Sequence, residues 1–145
     1  MKQTSKINLT EKQIEEIAEE LDCGFRVLYH LKTKEVKSVM DMDDAYDIPE
    51  EAEEEWNEIE ENWGDYFEFE KMESHDSFKV MEDFTDEVKD EYLKRDLIKA
   101  LNRPKPFWNF KYEIDENGEY REQWFAFKRQ KMIEWVRNQV ERNNG

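Results

Sequence analysis

Apolar positions follow two periods along this chain. Ile14, Ile17, Ala18 and Leu21 recur at i, i+3, i+4 and i+7, one stripe of a helix. Thr10 with Gln13 fits a capping box, and Leu9 with Ile14 fits the hydrophobic staple, so a helix over 11–22 is expected. Gly24 supplies its stop. The period then shortens: Phe25, Val27, Tyr29 and Leu31 alternate with Arg26, Leu28 and His30. A polar break at Lys32-Thr33-Lys34-Glu35 precedes a second β-rich run from Val36 to Met40, and the two read as a hairpin. Pro49 suits the first position of a helix carrying a thin stripe of Ala52, Trp56, Ile59 and Trp63 and ending at Gly64. Tyr66-Phe67-Glu68-Phe69-Glu70 alternates again and predicts a third strand.

From Ser74 onward the pattern predicts only helices. Phe78, Met81, Phe84 or Thr85, and Val88 keep helical spacing, with a break at Thr85, where Asp86 and Glu87 suit a first turn. The next helix carries Val88, Tyr92, Leu93, Leu97, Ile98 and Leu101 and stops at Asn102-Arg103-Pro104. Pro106 opens a short helix with Phe107, Phe110 and Ile114 on one side. Asn117-Gly118 breaks it, and a last helix starts near Glu119. Tyr120, Trp124 and Phe127 form one of its lines; Phe125, Met132, Val136 and Val140 form an adjacent one. The expected fold is one α+β domain over 1–145: a small three-stranded antiparallel sheet with covering helices and a helical C-terminal half.

Composition sharpens where the core lies. Charged residues reach 41% and apolar ones only 37%, but 14% of the 145 residues are aromatic, which argues for a folded chain with a ring-rich core. Residues 107–135 hold nine of the aromatics, so the core is expected to be anchored there. By spacing, Phe107, Phe110, Trp124, Phe125 and Phe127 are expected to be buried. Trp108 falls off that face and is the ring expected at the surface.

Charge is polarised along the chain. The net charge of −16 is concentrated in residues 41–91, which carry 23 acids against Lys71, Lys79 and Lys89, whereas residues 92–145 carry a surplus of bases. Such polarity bears on partners, not on fold. Glutamates between Glu50 and Glu61, among them Glu54 and Glu58, repel one another at i,i+4 with no lysine between them. They read as a solvated face or as a surface for a basic protein. Asp41, Asp43, Asp44 and Asp47 form a weak candidate for a hard cation, because the EF-hand pattern fails at Tyr46 and Ala52. Arg95, Lys99, Arg103, Lys105, Lys111, Arg121, Lys128 and Arg129 lie among the C-terminal rings. There Trp108, Lys105, Lys111 and Arg121 are the candidate contacts for a phosphate backbone and a stacked base.

No catalytic set is recognisable. His30 and His75 are the only histidines, Cys23 the only cysteine, and the four glycines are too scattered to cradle a phosphate. No cofactor is expected. Without an apolar leader or a run of transmembrane length, a cytoplasmic protein with no membrane association is expected. The leading expectation is a non-enzymatic acidic interaction or regulatory module facing a basic partner, with a homodimer also open. The alternatives are nucleic-acid binding through the basic aromatic C-terminal half and metal-assisted hydrolysis by carboxylates of 41–91.

An ordered set of motifs carries a family likeness. Met81-Glu82-Asp83-Phe84, Leu97 with Ala100-Leu101, Pro106-Phe107-x-x-Phe110-Lys111 and Tyr120-Arg121-x-x-Trp124-Phe125-x-Phe127 together resemble the bacterial uncharacterised protein family 0158. The likeness is best over 66–137. The family often has a basic residue after the phenylalanine, where this chain has Trp108-Asn109. The resemblance implies a bacterial cytoplasmic globular protein and brings no activity or site residues with it.

Overall fold

The structure is a computed structural model describing residues 6–41 and 47–145. Its described elements form an α+β fold that divides into two compact units, residues 1–71 with 132–145, and residues 72–131.

The first unit opens with α1 (Glu11–Asp22). Thr10 accepts from the Gln13 amide at 3.1 Å while Gln13 Oε1 accepts from the Thr10 amide at 3.0 Å, closing the capping box. At the other end Gly24 takes φ +95°, which lets its amide reach Leu21 O (3.1 Å) and the Phe25 amide reach Glu20 O (3.1 Å). This is a Schellman ending, and a side chain at Gly24 would strain it. Strands β1 (Arg26–His30), β2 (Val36–Val39) and β3 (Tyr66–Glu68) follow in sheet order β2-β1-β3, both pairings antiparallel.

Strand β1 is covered on both faces. Val27, Leu28 and Tyr29 are all fully buried, so the simple in–out alternation read from the sequence is lost in the central strand. Leu28 clusters with Val39, Tyr66 and Ile59, the last from α2 (Glu50–Glu61), with Trp56 packed alongside. Val27 and Tyr29 point the other way, and α1 packs against this strand. Pro49 is the residue before α2 instead of its first, and the helix ends at Glu61 ahead of a 3-10 turn (Trp63–Asp65) instead of running to Gly64.

His30 has a local structural role. Its Nδ1 accepts from the amides of Lys32 (3.2 Å) and Thr33 (3.0 Å), holding the hairpin turn in which Lys34 adopts φ 68°. The proton of the neutral ring therefore resides on Nε2. Its edge meets Tyr66 at 4.8 Å between centroids.

The second unit contains α3 (Ser74–Glu87), α4 (Glu91–Leu101), α5 (Pro106–Asp115) and the first part of α6 (Gly118–Asn144), whose residues from Met132 belong to the first unit. Its core is Met81, Phe84, Val88, Leu93, Leu97, Phe110 and Ile114, with Trp124 and Phe127 packed against it. The Phe84 ring lies edge-on to Trp124 (5.3 Å), Phe127 (5.4 Å) and Phe110 (6.5 Å).

Three expectations need correction here. Helix α3 does not break at Thr85: this residue is buried and its hydroxyl donates to Met81 O at 2.8 Å, four residues back. The start signal belongs instead to Asp90, whose Oδ1 accepts from the amides of Tyr92 (2.9 Å) and Leu93 (3.1 Å). Phe107 and Phe125, expected in the core, are 43% and 47% exposed. Phe107 flanks the Phe110/Ile114 stripe, and its ring meets that of Phe78 edge-to-face at 6.5 Å. Phe125 is turned by about 100° from Trp124 on α6, and Arg121 lies over its ring at 4.8 Å.

Candidate interaction surfaces

Helix α5 presents its buried stripe, Phe110 and Ile114, to the core, which leaves Trp108, Lys111 and Tyr112 on its solvent side at i, i+3 and i+4. Lys105 precedes them by one turn as the N-cap residue, in a left-handed conformation with φ 59°. Trp108 is 64% and Tyr112 53% exposed, and their rings stack nearly parallel, 11° apart with centroids 5.8 Å apart. Trp108 was expected at the surface; Tyr112 was not singled out, although its position four residues on places it beside Trp108.

On α4 the solvent side carries Tyr92, Arg95, Ile98 and Lys99, with the Arg95 guanidinium over the Tyr92 ring at 5.3 Å. Across residues 92–112 the bases Lys94, Arg95, Lys99, Arg103, Lys105 and Lys111 face a single acid, Asp96. Lys99, Arg103, Lys105 and Lys111 are exposed and have no carboxylate within salt-bridge distance among the described residues. Arg121 differs from them: its Nε pairs with Asp115 at 3.2 Å, so part of its charge is already answered.

The acidic helix α2 behaves unevenly. Glu54 is exposed, as are Glu50, Glu51, Glu53, Glu55, Glu60 and Glu61, and none of them has an ion-pair partner among the described residues. Glu58 is engaged within the unit, accepting from Lys37 Nζ (3.4 Å) and from the Tyr66 hydroxyl (3.2 Å). Tyr66 first and Glu58 second hold Lys37 protonated above its ordinary value of 10.5. A raised lysine stabilises the fold below that value and loses its contribution as pH climbs through the higher folded one. Lys37→Met is therefore expected to remove part of the stability loss seen above pH 10.5. The effect should stay under about 1 kcal/mol, because the pair is solvent-screened. Urea midpoints of the two proteins across that pH range check it.

Of the carboxylate cluster, Asp41 and Asp47 fall among the described residues. Asp41 accepts from Lys71 Nζ at 2.9 Å, and Lys71 also donates to Gly24 O at 2.7 Å. Asp47 is exposed, while Asp43 and Asp44 lie outside the described residues. No group of three His, Cys, Asp or Glu residues suited to a metal ion occurs among the described residues. A charged cleft of about 480 Å³ is lined by Arg26, Asp41, Glu68, Phe69, Glu70 and Lys71. Within it Arg26 forks onto both Glu68 oxygens (2.7 and 2.8 Å) and lays its guanidinium over Trp56 at 4.2 Å. Its charges largely answer one another. No helix among the described residues is long and apolar enough to cross a membrane.

Fold and surface together define a small α+β protein of ring-rich core, with an acidic helix in one unit and an exposed ring-and-base surface in the other. The chain belongs to the uncharacterised protein family UPF0158, matching it over residues 7–144. The match takes in the N-terminal helix and hairpin as well as the motif-bearing stretch from 66 to 137. A protein of Pseudomonas aeruginosa named for the same family is 31% identical over 68 residues, 47% of this chain and 44% of that protein. The chain thus matches a little under half the length of that relative. No solved structure matches.

Proposed function

We propose that this protein is a binding module whose working surface is the solvent side of α4 and α5, taking a polyanionic partner. The observation that carries the reading is the coincidence of four exposed, carboxylate-free bases with exposed rings on the same helical hairpin. Exposed rings and unanswered cations both cost the free protein something: apolar area stays wet and like charges repel. A polyanion relieves the repulsion, and one that also carries planar groups covers the rings. The net charge of −16 does not forbid this, because charges beyond a Debye length of about 8 Å at physiological salt contribute little.

A second reading rests on α2, whose exposed glutamates other than Glu58 lack ion-pair partners among the described residues and would suit a basic protein. One paired experiment separates the two. In the first reading the protein is retained on immobilised heparin at low salt, and the triple change Lys99→Glu, Lys105→Glu, Lys111→Glu abolishes retention. In the second, a polylysine peptide binds with strong salt dependence, and Glu54→Lys with Glu61→Lys weakens it. Retention of the triple variant equal to wild type would dismiss the first reading; salt-independent polylysine binding would dismiss the second.

A further inference from the structure

We infer that the outer stripe of α5 is a stacking site for single-stranded nucleic acid, an inference that rests on the polyanion-binding reading of this surface and names its ligand. The ring pairs Phe84–Phe110, Phe84–Trp124, Phe84–Phe127, Phe110–Trp124 and Phe78–Phe107 all meet edge-to-face, at 61° to 77°. Trp108 and Tyr112 are the one parallel pair among the described residues, and they are also the exposed pair. A parallel pair presents flat π-faces, the shape on which a further planar ring, such as a nucleobase, can stack.

Cations stand where a backbone would run. Lys111 sits beside the stacked pair, three residues after Trp108 and one before Tyr112, and Lys105 one turn before Trp108, so the rings are flanked by positive charge on the same helix. The carboxylate that would otherwise compete for Lys111 at i+4, Asp115, is held by Arg121 at 3.2 Å. Four residues of helix advance about 6 Å, so the two rings offer a short track along which a strand can lie. Only an unpaired strand has base faces to offer, since in a duplex they are stacked inside. An acidic protein would use the lysines but would gain nothing specific from parallel rings.

The test uses the full chain with fluorescein-labelled 20-residue oligo-dT and oligo-rU, read by anisotropy and by tryptophan quenching at about 0.1 M salt. Duplex DNA of the same length, heparin and polyglutamate serve as comparison ligands. The single strands should bind more tightly than the duplex and quench tryptophan emission. Trp108→Ala should weaken them about tenfold or more while leaving heparin binding unchanged, and Trp108→Phe should recover most of the loss. Lys111→Glu should weaken every polyanion and flatten the salt dependence of the oligonucleotides. Single-strand binding indifferent to Trp108→Ala, duplex bound as tightly as single strand, or polyglutamate preferred to both would each overturn the inference while leaving the polyanion reading in place. Absence of binding to every polyanion would overturn both.

Discussion

Replacing Gln139 by leucine is expected to lower the unfolding free energy by about 2 kcal/mol, although leucine fills nearly the same space. Gln139 is only 3% exposed, and its side-chain amide serves the backbone just past the end of β3. Oε1 accepts from the Glu70 amide at 2.7 Å and Nε2 donates to the Glu70 carbonyl at 3.1 Å. The side chain thus does for Glu70 what a neighbouring strand would do, one residue after Phe69 has made its last bond to Val27 O (2.9 Å). Leucine leaves the Glu70 amide without a partner, and that unmet donor sets the cost. The carbonyl is still served by Trp135 Nε1 at 2.7 Å, so Trp135→Phe should cost about half as much. Urea denaturation followed by far-UV circular dichroism checks both. A leucine variant within about 0.5 kcal/mol of wild type would mean that the amide contributes little.

Phe84→Ala is expected to cost about 3–5 kcal/mol, the largest loss from any single ring in the second unit. Phe84 is buried and touches three other rings, so truncation forfeits transfer energy, leaves a cavity and breaks three edge-to-face contacts. Because domains of this size are stable by only about 5–15 kcal/mol, the variant should populate unfolded chain well below the temperature at which wild type does. Phe84→Leu, which keeps most of the volume, should cost roughly a third as much. Near-UV circular dichroism is the sensitive readout, since Trp124 packs against Phe84 at 5.3 Å and should lose its fixed environment. Phe125→Ala is the contrasting case: its ring is half exposed, and the loss should stay near or below about 1 kcal/mol.

Local chemistry was legible in the sequence wherever one signal decided the outcome. The Thr10–Gln13 box, the turn at Gly24, the hairpin, the third strand and the proline start of α5 all depend on neighbours within a few residues. Misreadings arose where two signals competed. Thr85-Asp86-Glu87 carries the composition of a helix start, but apolar spacing continued through it, and burial of Thr85 against Met81 decided for one long helix. Phe107 and Phe125 were misplaced because a ring in a ring-rich stretch looks like core, whereas each helix has only one buried stripe to give. Gln139 left no trace at all, since a glutamine on a late helix looks like any surface residue until the strand end it serves is known. The ring-and-base surface was half legible: its bases and Trp108 could be named, but the alignment of Tyr112 beside Trp108 required the helix.

The two amides near the end of α6 have a consequence for solubility. Asn144 repeats the arrangement of Gln139, its Oδ1 accepting from the Ile7 amide at 2.8 Å and its Nδ2 donating to the Ile7 carbonyl at 3.0 Å. Extended segments with open hydrogen-bonding groups are templates on which other chains can add strands. At Ile7 and Glu70 those groups are occupied by side chains of the same molecule and so are not open to a second chain. A cell carrying a chain that has lost one of them would face a tendency toward intermolecular pairing as well as weaker folding, and the first sign of it would be turbidity on concentration.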